Sequence, residues 1–144
     1  MPHRPIRSII ENRKPLIAPS STTVTDAARL MAQNNAGALL VCEAGHLVGV
    51  FTERDALFRV TATARDPQTT TLTDVMTPKP QTIAPDKPLG HALHMMYEGG
   101  FRNVPVIEND QPIGMISARD ALGPELKAFV EEMGEREHIA EILG

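Results

Sequence analysis

The chain contains one unit twice. Residues 24–57 align without a gap onto residues 89–122, an offset of 65. Identities along that alignment include Ala27/Ala92, Met31/Met96, Val41/Val106, Glu43/Glu108, Gly49/Gly114, Arg54/Arg119 and Asp55/Asp120. Just upstream, Ile17-Ala18-Pro19 and Ile83-Ala84-Pro85 match at an offset of 66, so one residue is gained or lost between the two matches. Matched positions keep their order through strand-like and helix-like segments alike, which chance does not preserve. A duplication restricts the fold strongly, because each copy must adopt the same supersecondary arrangement and neither is large enough to bury its apolar face alone.

Each copy reads as strand, helix, strand, strand, helix. In the first, residues 16–18 are a short strand ended by Pro19, and residues 20–23 offer N-caps. Val24, Ala27, Ala28, Met31 and Ala32 then recur at helical spacing until Asn34-Asn35 and Gly37. Residues 39–43 form a continuously apolar strand paired across Ala44-Gly45-His46 with residues 47–51, and a helix from about 53 to 60 closes the unit. The second copy repeats this with a strand at 81–84 and a helix opened by Pro88 that carries Leu89, Ala92, Leu93 and Met96. Gly99-Gly100 stops that helix, a hairpin follows at 104–108 and 112–116, and the closing helix begins at 119–122.

The expected fold class is α/β (α+β): two β-α-β-β-α units packed sheet to sheet with pseudo-twofold symmetry. Residues 1–14, which include His3, Arg4, Arg7, Arg13 and Lys14, are a leading arm or short helix. Residues 15–63 are the first unit, 64–73 a Thr-rich linker with Asp66-Pro67, and 74–123 the second unit. Residues 124–144 are a helical tail without a counterpart in the first copy. It carries Leu126, Phe129, Val130 and Met133 on one stripe, Gly134 at a kink, and Ile139, Ile142 and Leu143 on a second patch.

Composition narrows the function classes. Aromatics are 3% with no Trp, so the core must be aliphatic and rich in Met. A net charge of −4, with no Lys/Arg run interleaved with aromatics, excludes a nucleic-acid surface held by phosphate neutralisation. The sequence has no apolar stretch long enough for a bilayer, and Met1-Pro2-His3-Arg4-Pro5 lacks a signal-peptide core. A lone cysteine fits a reducing compartment, so the expected location is cytoplasmic. Cys42, at the end of Ala38-Leu39-Leu40-Val41-Cys42, reads as a small buried hydrophobe rather than a nucleophile.

The chemistry gathers in a motif that also occurs twice: Gly49-Val50-Phe51-Thr52-Glu53-Arg54-Asp55 and Gly114-Met115-Ile116-Ser117-Ala118-Arg119-Asp120, each followed by Ala-Leu. An apolar strand end meets a hydroxyl residue, then an aspartate three positions on. One reading is a capping box that satisfies orphan N–H groups at a helix start, the same spacing as Thr23-Val24-Thr25-Asp26. The other is a nucleotide site: the carboxylate accepts a ribose cis-diol, while the hydroxyl and the helix N-terminus face phosphate. The glycine lets the strand approach either another backbone or a ligand. His91 and His94, and Glu135-Arg136-Glu137-His138, read as solvated side chains rather than metal ligands. With no Walker loop, nucleophile elbow or paired catalytic carboxylates, an enzyme is not expected.

On these residues, together with Asp74-Val75-Met76-Thr77-Pro78 and Arg102-Asn103-Val104-Pro105-Val106, residues 15–122 resemble a tandem CBS domain pair, or Bateman module. The resemblance implies an adenosine-containing ligand (AMP, ADP or ATP, with NAD or S-adenosylmethionine as further members of the class) in clefts between the units. It also implies a homodimer. Carried over, it assigns ribose to Asp55 and Asp120, with Thr52 and Ser117 nearby, and the adenine edge to backbone at Ile17-Ala18 and Ile83-Ala84. Val50, Phe51, Met115, Ile116 and Val104-Pro105 become apolar walls. Arg102-Asn103 fills the phosphate-facing position in the second unit where the first has Gly37-Ala38, so the second site is expected to be the better phosphate site. Arg54 and Arg119 are either solvated ion-pair residues or phosphate contacts. The expected function is a nucleotide sensor acting on a regulated partner protein; the alternative is a dimerisation scaffold with vestigial sites.

Overall fold

In a computed structural model, the structure describes residues 4–123 and 131–135. The elements run α1 (Ile6–Ile10), β1 (Ile17–Ala18), α2 (Val24–Gln33), β2 (Ala38–Glu43), β3 (His46–Thr52), α3 (Glu53–Asp55) continuing as a π-helix (Ala56–Thr61), and α4 (Leu72–Val75). After these come β4 (Thr77–Pro78), α5 (Leu89–Gly99), β5 (Asn103–Glu108), β6 (Gln111–Ser117) and a 3-10 helix (Ala118–Leu122). The long helices form where the apolar spacing lies. In α2, Thr23 accepts the Asp26 N–H at 3.2 Å, and Val24, Ala27 and Met31 face inward. In α5, Leu89, Ala92 and Met96 repeat that stripe. It ends on Gly100 at φ 73°, whose N–H reaches the Met96 carbonyl at 2.9 Å, a left-handed cap that a Cβ would penalise.

The sheets keep the duplication in their register. β2 and β3 pair antiparallel from Ala38/Thr52 to Glu43/His46, with a bulge between Val41 and Cys42. β5 and β6 pair from Asn103/Ser117 to Glu108/Gln111, with the bulge at the equivalent step, Val106 to Ile107. β1 lies parallel to β2 at the edge of a four-stranded sheet, β1-β2-β3-β4. In the second copy the expected strand at 81–84 shrinks to one bridge. Ile83 donates to the Pro105 carbonyl and accepts from the Ile107 N–H, both at 3.0 Å. The ladder does not reach residue 81 because Pro105 has no N–H to donate, whereas Leu40 at the equivalent position donates to the Leu16 carbonyl at 2.8 Å.

The segments leading into the two units are exchanged. β4, which leads into the second unit, is the edge strand of the first unit's sheet, paired Gly49/Pro78 and Val50/Thr77. The Thr70 carbonyl takes the Val24 N–H and Leu72 donates to the Thr22 carbonyl, both at 2.9 Å. At the N-terminus the Arg4 carbonyl takes the Leu89 N–H at 2.8 Å, and Ile6 donates to the Lys87 carbonyl at 3.0 Å. The bridges Thr23/Thr71 and Pro5/Pro88 are thus pseudo-equivalent. The expected linker is not loose, since residues 66–70 turn back on themselves and hold the start of α2.

Three apolar clusters follow from this arrangement. The first unit packs Leu39, Val41 and Phe51 under α2 and takes Leu72 and Val75 from the exchanged segment. The second packs Val104, Val106 and Ile116 under α5 and takes Ile6 and Ile10 from α1. Between the sheets lie Ala38, Leu40 and Val50, with Met115 of the second unit against them. Alternation along each strand directs one face to the helices and the other to the opposite unit. Of the expected tail, residues 131–135 are helical with Met133 exposed; Leu126, Phe129, Val130, Ile139, Ile142 and Leu143 lie outside the described residues.

Candidate functional site

At the end of β3, Thr52 and Asp55 cap one another. Asp55 donates its N–H to Thr52 Oγ1 at 3.1 Å, and Asp55 Oδ2 accepts the Thr52 N–H at 3.0 Å and its hydroxyl at 3.2 Å. The capping box therefore uses one carboxylate oxygen. Oδ1 has softer partners: the Thr77 hydroxyl from β4 at 3.3 Å and Arg59 Nε at 3.4 Å, one turn along the helix. Asp55 is only 6% exposed, and its placement in the first turn suits the helix dipole.

The end of β6 repeats this. Asp120 Oδ2 accepts the Ser117 N–H at 2.8 Å and the Ser117 hydroxyl at 3.4 Å, within a second capping box. Asp120 Oδ1 is taken by Arg13, whose Nη2 lies 2.7 Å away, and Arg4 donates to the Asp120 carbonyl at 2.9 Å. Asp120 is 8% exposed. Burial pushes its carboxyl up, but Arg13 and the Ser117 N–H outweigh that and leave it below the usual carboxylate range. Both sequence readings of this motif pointed at the same atoms, and capping is built in both copies.

The duplicated glycines have a structural cause. A Cβ on Gly49 would lie 2.4 Å from Met76 Sδ and 3.0 Å from the Thr77 carbonyl; on Gly114 it would lie 3.0 Å from three carbons of Ile10. What approaches these glycines is the exchanged segment, not empty space for a ligand. Met76 and Ile10 are themselves pseudo-equivalent, so the duplication extends upstream of Ile17 into α1. Sequence reasoning missed the contacts of Arg13 and Thr77, whose counterparts at the same offset are Lys79 and Glu11 and so carry no repeated signal for them.

The remaining expected residues separate by face. Val50 and Met115 point between the units. Phe51, Val104 and Ile116 are fully buried in the helix-side cores, and Pro105 is fully buried as well. This corrects the reading of their side chains as walls of a cleft: strand alternation turns Phe51, Val104 and Ile116 toward the helices. Ala18 and Ile83 are buried, whereas Ile17 and Ala84 are exposed. Arg102 is exposed, and its carbonyl takes the Ala118 N–H at 2.9 Å, tying the start of β5 to the capped junction beside Asp120. Asn103 pairs with Ser117 across the ladder.

The two duplicated arginines do different things. Arg54 lies 5.1 Å over the Phe58 ring, while Arg119 crosses to the first unit and lines a depression of about 160 Å³ with Met31, Asn35, Gly37 and Glu53. The second unit's cation therefore reaches the first unit's edge, a placement its sequence position does not suggest. His94 pairs with Glu98 at 3.0 Å on the exposed side of α5. Among the described residues no three His, Cys, Asp or Glu side chains are grouped to hold a metal ion, and no helix is long and apolar enough to cross a membrane. Burial, with Glu43 adding to it, pushes the Cys42 thiol up, away from a nucleophilic thiolate.

With this geometry in place, comparison with known proteins is consistent at every level. The CBS domain family model matches residues 6–62 and 72–123, so each match begins at the exchanged segment. The CBS domain-containing protein YhcV of Bacillus subtilis is 35% identical over 98 residues, 68% of this chain and 69% of that protein. A mitochondrial CBS domain-containing protein of Arabidopsis thaliana is 35% identical over 116 residues, 77% of this chain and 56% of that protein. Against the meiotically up-regulated gene 70 protein of Schizosaccharomyces pombe, 39% identical over 114 residues, the match spans only 16% of the relative's length. Among solved structures, a CBS domain protein from Pyrobaculum aerophilum complexed with AMP superposes with a TM-score of 0.71 at 26% identity, covering 78% of this chain and 87% of that one. The chain belongs to the CBS domain family, as a tandem pair of CBS units.

Proposed function

We propose that this CBS pair binds an adenosine-containing nucleotide, AMP, ADP or ATP, between its units and transmits the change to a partner protein. One observation carries this reading. Each buried aspartate commits Oδ2 to its helix cap and leaves Oδ1 to side chains that can yield to a ribose diol: Thr77 and Arg59 at Asp55, Arg13 at Asp120. Capping and ligand binding are therefore compatible, and the cap pre-orients the carboxylate. The AMP complex of the Pyrobaculum aerophilum protein supports the choice of ligand class. β1 lies at a sheet edge, which supports backbone at Ile17-Ala18 as the adenine-reading edge in the first unit. In the second, exposed Arg102 beside the Ser117 junction supports the phosphate end of the site. NAD and S-adenosylmethionine carry the same adenosine and belong to the test panel.

Exposed Leu57, Phe58 and Leu122, on the helices that follow the two motifs, support pairing of two chains into a homodimer through those helices. Coupling to a partner is bounded by the ligand's differential affinity for the two shapes of the pair. The scaffold reading has one observation in its favour, that each Oδ1 already has a partner without ligand. A thermal-shift series with AMP, ADP, ATP, NAD and S-adenosylmethionine separates the two. Ligand at 100 times its Kd adds about 2.7 kcal/mol, and thus raises Tm by roughly 8 °C for a chain of this size. If no adenosyl compound moves Tm at millimolar concentration, the sensor reading is lost and the scaffold stands.

A further inference from the structure

The two carboxylates differ in what guards them. Asp55 Oδ1 faces a neutral hydroxyl, Thr77, at 3.3 Å and Arg59 of its own helix at 3.4 Å, which also donates to the Met76 carbonyl at 3.0 Å. Asp120 Oδ1 is held at 2.7 Å by Arg13, which comes from the segment after α1 and is therefore not part of the second unit's own repeat. The pseudo-equivalent of Arg13 is Lys79, which follows β4 and is exposed, so the cation at Asp55, Arg59, comes from the unit's own helix and not from an exchanged segment. Arg13 is 48% exposed, on a long stem with solvent on one side, whereas Asp120 beneath it is buried. A guanidinium so placed can leave its carboxylate and turn outward without repacking a core.

This inference rests on the reading of Asp120 as a ribose carboxylate. A diol that takes Oδ1 must displace Arg13, and the displaced cation then stands beside the ligand without its counterion. A ligand carrying phosphate supplies a new one through charge-assisted hydrogen bonds; a bare nucleoside does not. We propose that Arg13 is a specificity-determining residue of the second site, exchanging Asp120 for ligand phosphate, so that the site admits nucleotides and rejects nucleosides. The leading segment thereby becomes part of the binding site.

Isothermal titration of the intact chain with AMP and with adenosine, on wild type, Arg13→Gln and Arg13→Lys, tests this. The heat assigned to the second site is the part that Asp120→Asn removes. In Arg13→Gln, adenosine binds about threefold more tightly because no ion pair has to be broken. AMP binds more weakly, so the AMP-to-adenosine affinity ratio falls about tenfold. Arg13→Lys keeps the charge and stays within about threefold of the wild-type ratio. An unchanged or higher ratio in Arg13→Gln, or an equal fall in both variants, overturns the exchange. If AMP binds wild type and Asp120→Asn abolishes that heat while the ratio ignores Arg13, only this inference fails. If neither compound binds wild type, the proposed function fails with it. Should Arg13→Gln not fold, the ratio in Arg13→Lys decides alone, and a fall beyond about threefold counts against the exchange.

Discussion

Replacing Gly49 by alanine tests whether the exchanged segment is what this position makes room for. The new Cβ would meet Met76 Sδ at 2.4 Å, Met76 Cγ at 3.0 Å and the Thr77 carbonyl at 3.0 Å. The sulfur belongs to a flexible side chain and can swing away. The carbonyl belongs to β4, which is tied to β3 at Gly49/Pro78 and Val50/Thr77, so the edge strand itself must retreat by a few tenths of an ångström. Overpacking of this kind costs about 1–3 kcal/mol. Stiffening of the unfolded chain returns about 0.4–1 kcal/mol. The net loss is about 1–2 kcal/mol, and Tm falls by roughly 3–6 °C for a chain of this size. Thermal unfolding followed by circular dichroism measures it, with Gly90→Ala as the control. Gly90 sits inside α5 with no atom within 4 Å of the added carbon, so alanine there raises stability by up to about 1 kcal/mol. Gly114→Ala meets only Ile10 side-chain carbons at 3.0 Å and loses less than Gly49→Ala. A Gly49→Ala protein melting at or above the wild-type temperature refutes the close-approach account and returns this glycine to the ligand.

Truncating the exchanged segments tests the architecture in pseudo-symmetric pairs. Ile6→Ala and Leu72→Ala each empty a fully buried position in the opposite unit's core and lose about 2–5 kcal/mol in urea unfolding; a loss under about 1 kcal/mol in either contradicts the exchange. The Arg13–Asp120 pair stabilises only while Asp120 is ionised. Its folded-state carboxyl is depressed, so the stability is present above the ordinary carboxylate range and lost as pH falls through the lower folded value. The stability difference in urea unfolding between wild type and Arg13→Gln, under about 1 kcal/mol at pH 7 for this half-exposed pair, therefore shrinks as pH falls below the ordinary carboxylate range and vanishes once folded Asp120 is protonated. A difference that survives there is not electrostatic. If two chains pair through this face as proposed, Leu57→Glu, which places a charge on it, shifts sedimentation from dimer to monomer while leaving the melting of the single chain within about 1 kcal/mol; an unchanged sedimentation profile counts against pairing through these helices.

Much of the fold was legible because duplication leaves marks that local physics repeats. Helices began where Thr23 and Pro88 predicted them, the first with a side-chain cap and the second without, and Gly100 ended the second. The hairpins formed at the predicted turns, with a bulge at the same step in each. The strand expected at 81–84 shrank to one bridge because Pro105 cannot donate the bond that Leu40 makes to Leu16 in the first unit. Among the site residues, the pairing of Thr52 with Asp55 and of Ser117 with Asp120 was readable, since a capping box spans three residues of one chain segment. Period-2 alternation sets Phe51 and Ile116 on the face opposite to Val50 and Met115, but an apolar run carries no local mark of which face meets the helices. The burial of Phe51, Val104 and Ile116 away from the other unit was settled by packing.

By itself, the sequence determined a two-unit α/β chain with a hydroxyl–aspartate junction at each strand end, because those features depend on spacings of a few residues and on a repeat that can be counted. It also determined that the two junctions are unequal, through Arg102-Asn103 against Gly37-Ala38. Only the tertiary structure decided that each unit packs against the segment leading into the other, β4 on the first and α1 on the second, and so why Gly49 and Gly114 are glycines. Only it placed Arg13 on Asp120 across 107 positions of sequence, Thr77 on Asp55 across 22, and Arg119 against the first unit rather than its own. Contacts between residues so far apart are set by how two sheets settle on each other. No local propensity encodes that settlement, and the partners of the two carboxylates depend on it.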